Sequence, residues 1–191
     1  GIAPSNFSTK KYVVNRQVPK ANVLYARNAA VAAAGCFRGS KKNFLKSMRG
    51  ITSSVNVISA SAYGQRHAMT ATSVTSLSLD PPSMLICVNK DASLHKILME
   101  GSNFCINVLS SLQKELAEVC SNGDEGEFRF IGNAWKDQGS YIYNEDSLSN
   151  IFCTKNKQVD HTTHTIFIGS VDKVINSAEL KPLLYGSGGY L

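Results

Sequence analysis

Apolar residues recur in short blocks along this chain, and most blocks favour β-structure. Phe44, Leu45 and Met48 have helical spacing and predict a short helix ending near Gly50. Residues 51–60 are rich in Ile and Val and predict a strand, followed by a turn over Tyr63 to Arg66. Residues 68–79 predict a second strand, stopped by Asp80, Pro81 and Pro82. A short apolar strand follows over 84–89. Residues 93–100 carry an amphipathic helical pattern with Ser93 as N-cap.

Phe104 to Leu109 predict another strand, and Ser111 opens a helix with Glu115 and Glu118 facing outward. Residues 121–150 are loose and read as a surface loop or hairpin. Two strands follow, beginning at Asn150 and Thr165, with the polar run Lys155, Asn156 and Lys157 as their turn. The second continues through Asp172 to Asn176. No strict βαβ alternation or repeat occurs. The pattern predicts a mainly β, antiparallel barrel or sandwich with peripheral helices.

Composition changes this picture little. At 191 residues with 18% charged side chains, the chain suits one globular core, and no uncharged run is long enough to span a membrane. The five cysteines are widely spaced without a C-x-x-C pair, which argues against a disulfide framework or a zinc site and for a reduced, cytoplasmic setting. Charge is more informative. Residues 1–50 carry ten Lys and Arg and no acidic residue, so the net charge of +6 comes from that quarter over a mildly acidic body. A transit peptide, a nucleic-acid or membrane-surface arm and a solvated extension are all open readings of it. Interleaved aromatics of the kind that stack bases are missing there. Ala29 to Gly35 predict a short helix.

Six of the residues 68–79 are Ser or Thr. As one strand, this segment would set Thr70, Thr72 and Val74 on one face and Ala71, Ser73 and Thr75 on the other. Its hydroxyls suit a polar ring or an anion, and equally an ordinary half-buried strand. Asn89, Lys90 and Ser93 form a strand-to-helix junction with an amide, a cation and helix N–H groups, a suitable phosphate seat. His164 precedes the late strand. Dinucleotide-binding G-x-G-x-x-G, Walker A and H-E-x-x-H motifs are absent, so nothing supports a metal site or a serine hydrolase.

Residues 44–190 resemble the short-chain flavin reductases, the split-barrel reductase components of two-component monooxygenases. The similarity rests on the block from His67 to Lys90, flanked by Phe44 to Thr52, Phe104 to Leu109, His164 to Val171 and Pro182 to Tyr185. It implies a split β-barrel of Greek-key-like antiparallel strands over 41–191, with 1–40 as a basic extension. The implied activity is NAD(P)H:flavin oxidoreduction, with FMN or FAD as cofactor and NADH or NADPH as co-substrate. A split-barrel flavin carrier without nicotinamide turnover is the alternative. The implied partners are a flavin-dependent monooxygenase and a second copy in a homodimer, with neither nucleic acid nor membrane.

The same resemblance implies Met69, Thr70, Ala71, Thr72 and Ser73 as cofactor-binding residues, the last four against the isoalloxazine and ribityl parts. Cys87, Val88, Asn89, Lys90, Ser93 and Leu94 would hold the ribityl phosphate. His164, with Tyr185 and Gly186, would flank the nicotinamide, and His164 is the candidate catalytic residue. Members of the family usually carry Asp before that His; Thr163 stands there in this chain.

Overall fold

The computed structural model describes residues 40–132, 134–178 and 181–191. The basic extension, apart from Ser40, and the helix expected over Ala29 to Gly35 lie outside the described residues. Helix α1 (Lys41–Met48) buries none of its residues, and the Ser40 hydroxyl caps it by accepting from Asn43 N at 3.2 Å. The chain divides after Lys46, and the unit Ser47–Leu191 carries the remaining elements.

Strands β1 (Ser53–Ser54), β2 (Asn56–Ala62), β3 (Gln65–Ala71), β4 (Val74–Leu79) and β5 (Pro82–Asn89) come first. Helix α2 (Ser93–Glu100), strand β6 (Asn103–Val108), helix α3 (Lys114–Ser121) and a kinked 3-10 segment (Gly123–Phe130) follow. The hairpin β7 (Trp135–Gln138) and β8 (Tyr141–Asn144) precedes a long ribbon, β9 (Ser149–His161) and β10 (His164–Asn176). The chain closes with β11 (Leu184–Gly186) and β12 (Gly189–Tyr190).

The main sheet has seven antiparallel strands in the order β3-β2-β6-β9-β10-β5-β4. Its two edges, β3 and β4, are consecutive in sequence, with only Thr72 and Ser73 between them. Three Cα steps span at most about 11 Å. The edges must therefore meet at that point, which curls the sheet into a barrel that stays unpaired along β3 and β4. This is the split barrel.

The expected continuous strand 68–79 is thus two strands on opposite edges. The break reverses the facing pattern: Met69, Ala71 and Val74 pack against the barrel core, and Thr70 and Val74 do not share a face. Inside the barrel lie Ile58, Ile86, Val88, Phe104, Ile106 and Phe167, closed at one end by Leu94, Ile97 and Leu98 of α2. Gly169 is required there by close approach: a Cβ would stand 2.8 Å from the Phe104 ring. A second core, on the outer side of β2 and β3, joins Val57 and Ala68 to Leu116, Ala117 and Cys120 of α3 and to Phe130.

Smaller corrections follow from hydrogen bonding. Tyr63 and Gly64 alone make the β2–β3 turn, both with positive φ (49° and 76°), so Gln65 and Arg66 already belong to β3. Ala92, not Ser93, occupies the N-cap position of α2, without a side-chain cap. Lys155 to Lys157 lie within β9, and the ribbon turns at Thr162 and Thr163. At the other end of α2, Lys155 Nζ donates to Leu98 O and Met99 O at 2.6 and 3.1 Å, a cation on the helix C-terminus.

Candidate functional site

Strand register assembles the site. Antiparallel pairing sets Asn89 opposite His164 and Cys87 opposite Ile166, so these four side chains share the outward face of β5 and β10. Ser73, at the split, accepts a hydrogen bond from Cys87 N at 3.0 Å. Thr72 and Ser73 are exposed and Cys87 is half-buried. The split and the β5–α2 corner are thereby held on one patch with His164 beside them.

A polar clamp joins the corner to the ribbon turn. Lys90 N donates to Thr163 O at 2.9 Å, and Lys90 Nζ lies 3.6 Å from Asp160. The buried Thr165 hydroxyl donates to Asp160 Oδ1 at 2.7 Å and meets His95 Nε2 at 2.9 Å. An ionised carboxylate only accepts, so the Thr165 proton goes to Asp160 and His95 Nε2 must be the donor. The Thr165 hydrogen bond, then Lys90, hold the Asp160 carboxyl below its ordinary range. Burial lowers His95 despite the nearby Asp160 charge. His164 itself is exposed, with Nδ1 2.9 Å from the Thr163 hydroxyl.

Behind Asn89 opens a cavity of about 290 Å³, lined by His67, Met69, Asn89, Ala92, Ser93, Cys120 and Arg129 among others. It adjoins a groove of about 470 Å³ that shares His67 and Ser93 and continues past Gln65, Lys96 and Glu127. Together they have the dimensions of a cofactor cleft. Their neutral polar donors, with the open patch at Thr72 and Ser73, fit a flavin nucleotide. A further cavity of about 540 Å³ opens between the β2–β3 turn, Asn103 and Asp137; it shares Gly64, Gln65, Arg66 and Glu127 with the groove and holds none of the expected site residues.

The expected residues separate accordingly. Met69, Asn89 and Ser93 line the cavity. Ala71 packs half-buried on the barrel core. Thr70 turns its hydroxyl to Ala117 O at 2.7 Å, toward the second core. Val88 and Leu94 are fully buried and expose nothing to a ligand. Lys90 is engaged with Asp160 rather than lining the cavity. Tyr185 and Gly186 stand on the separate three-stranded sheet of β1, β11 and β12, where Tyr185 meets the Tyr190 ring at 5.5 Å. No hydrogen bond, ion pair or ring interaction among the described residues joins them to His164.

Sequence reading missed His67, His95, Asp160, Thr165 and Arg129 as site-shaping residues. The alternation of β3 could have placed His67 with Met69. Nothing local signalled Arg129, which is fully buried and donates to Gly126 O, Asn122 O and Ala68 O.

An open antiparallel barrel with a nucleotide-sized cleft beside its unpaired edges defines the class: a split-barrel, cofactor-binding protein. The family model for the flavin reductase like domain matches residues 48–191, and this chain belongs to that family. It is 36% identical over 155 residues to the reductase component of the FADH(2)-dependent resorcinol hydroxylase of Rhizobium sp. (strain MTP-10005), covering 80% of this chain and 87% of the relative. It is 34% identical over 125 residues to a flavin reductase (NADPH) of Lentzea aerocolonigenes, covering 64% of this chain and 72% of that one. Among solved structures it resembles the NADH:FAD oxidoreductase SgcE6 of Streptomyces globisporus C-1027 at 25% identity and a TM-score of 0.75, covering 80% of this chain and 92% of that one.

Proposed function

We propose that this chain is an NAD(P)H-dependent flavin reductase that reduces FMN or FAD by hydride transfer and supplies reduced flavin to a partner monooxygenase. The observation that carries the reading is the register that puts Asn89 beside His164, next to the open split at Thr72 and Ser73. Flavin supplies the hydride acceptor and nicotinamide the donor, so the site needs no strong acid–base pair. The chain's part is to hold two rings face to face. Thr72, Ser73 and Asn89 offer polar groups to the flavin. Ser93, at the start of α2, faces its tail. His164 borders the open side where nicotinamide enters, with Thr163 orienting its ring through Nδ1. Half-buried Cys87 and Ile166 keep water from the patch.

Leu85, Cys87, Ile166 and Ile168 are half-buried on the outward face and belong to neither core. That half-buried apolar face supports a homodimer in which a second copy covers it and the site lies at the boundary. Sedimentation of wild type against Ile166→Lys tests this, a monomeric variant being the expected result. Among the described residues no helix is long and apolar enough to cross a membrane. Cys87, Cys105, Cys120 and Cys153 are free thiols, which suits the cytoplasm. The family match starting at residue 48 fits a catalytic domain over 41–191 with residues 1–40 as an extension.

Addition of NADH or NADPH to protein with FMN or FAD tests the activity directly. Loss of the oxidised flavin absorbance within seconds is expected. The Thr163 hydroxyl in place of a carboxylate favours one rival, a flavin carrier. Tight flavin binding with no bleaching by either nucleotide would establish the rival instead.

A further inference from the structure

His67 is the one side chain that lines both the 290 Å³ cavity and the adjoining groove from β3. Its Nδ1 lies 3.4 Å from Arg129 Nη1. A guanidinium has no acceptor, so Nδ1 must accept. The neutral ring therefore carries its proton on Nε2, which has no hydrogen-bond partner among the described residues. Arg129 is itself fixed: it is fully buried and donates to main-chain carbonyls of Asn122, Gly126 and Ala68. The tautomer of His67 is thus set by a rigid neighbour.

Position along β3 says what the free N–H can meet. His67 shares a face with Met69 and Ala71, since these three pair with Ala60, Ile58 and Asn56. His67 and Ala71 are four positions apart, about 13 Å along a strand. A flavin whose ring lies at Ala71 to Ser73 would bring its tail, not its ring, to His67. We propose that His67 is a flavin-binding residue whose Nε2–H donates to the phosphate of the flavin tail. This rests on the flavin reductase reading above and names a contact beyond it.

The contact is a neutral one. Burial, then the Arg129 charge, push the imidazole down to about 4, and Glu127 opposes them weakly. Arg66 on β3 is bound to Glu127 at 2.8 Å. Asp91 and Lys96 flank the cleft from the α2 side, and Cys120 from α3, its thiol pushed up to about 12 by burial. His67 therefore offers one donor without a charge at neutral pH, which suits a flavin that must be released.

Two variants separate this role from packing. In His67→Asn the amide still reaches Arg129 but leaves the Nε2 position empty. In His67→Gln the amide nitrogen falls near the Nε2 position. FMN and riboflavin affinities are measured by fluorescence titration for both variants and wild type. H67N is expected to weaken FMN about tenfold, the loss of one hydrogen bond to a charged group, and to leave riboflavin within about twofold. H67Q is expected to keep most of the FMN affinity. Equal losses for FMN and riboflavin, or H67N binding FMN as wild type does, would overturn the proposal while leaving the reductase reading intact. Wild type that binds neither flavin would overturn both. Nitrogen NMR of wild type should show the Nε2–H tautomer and a shift of that nitrogen with FMN; an Nδ1–H tautomer contradicts the assignment.

Discussion

Replacing Thr165 by Val tests the clamp between the β5–α2 corner and the ribbon turn. The side chain is fully buried opposite Val88 and Asp160, so valine fits the same space on a strand. The substitution removes the 2.7 Å bond to Asp160 and the 2.9 Å contact with His95. Asp160 is exposed and recovers water, so its loss is small. The half-buried His95 Nε2–H recovers little. One net hydrogen bond and one partly desolvated donor come to about 2 kcal/mol. For a chain of this size that lowers the melting temperature by about 4–8 °C. Thr165→Ser should lose only the methyl, about 1 kcal/mol. Thermal and urea unfolding at neutral pH measure both, and a double-mutant cycle with Asp160→Ala should show a favourable coupling between the two side chains. Unchanged stability of Thr165→Val with zero coupling would refute the clamp. Because the turn carries His164, the same variant should raise the nicotinamide KM.

Three further outcomes follow from other parts of the molecule. His67 is held at about 4 in the fold against 6.5 for the free side chain, so the unfolded chain binds more protons between these values. Its contribution is therefore complete above pH 6.5 and disappears as pH falls toward 4; urea titrations should show wild type losing stability across that window and His67→Gln losing less. Gly169→Ala drives a methyl against Phe104 and Cys153, both buried, and should cost about 2–3 kcal/mol in denaturant unfolding, partly recovered with Phe104→Leu. His164→Ala should raise the nicotinamide KM severalfold in steady-state assays while flavin affinity changes less than twofold; the reverse ranking would remove His164 from the nicotinamide side.

Apolar, β-branched composition located most strands; β2 is buried on both faces, Ile58 and Ala60 toward the barrel and Val57 and Ser59 toward the second core. Composition did not locate the break at Thr72 and Ser73. Those residues have ordinary β composition, and the break exists only because the sheet curls and its edges meet. Likewise Lys90 looked like a phosphate ligand because a cation beside a helix start favours an anion. Asp160, seventy residues later, stands 3.6 Å from its Nζ through strand pairing that local spacing does not encode. Val88 and Leu94 fell within a matching block, but their alternation and helix phase send them inward. Arg129 was invisible because its partners are main-chain carbonyls brought close by a kinked 3-10 segment.

The most direct measurement is a crystal structure of the protein soaked with FMN. The ring should lie at the split near Thr72, Ser73 and Asn89, with its phosphate beyond Met69 in the cavity that His67 and Ser93 share. Flavin seated instead in the large cavity near Tyr63, Asn103 and Asp137, with the β5–α2 corner unaltered, would contradict the account.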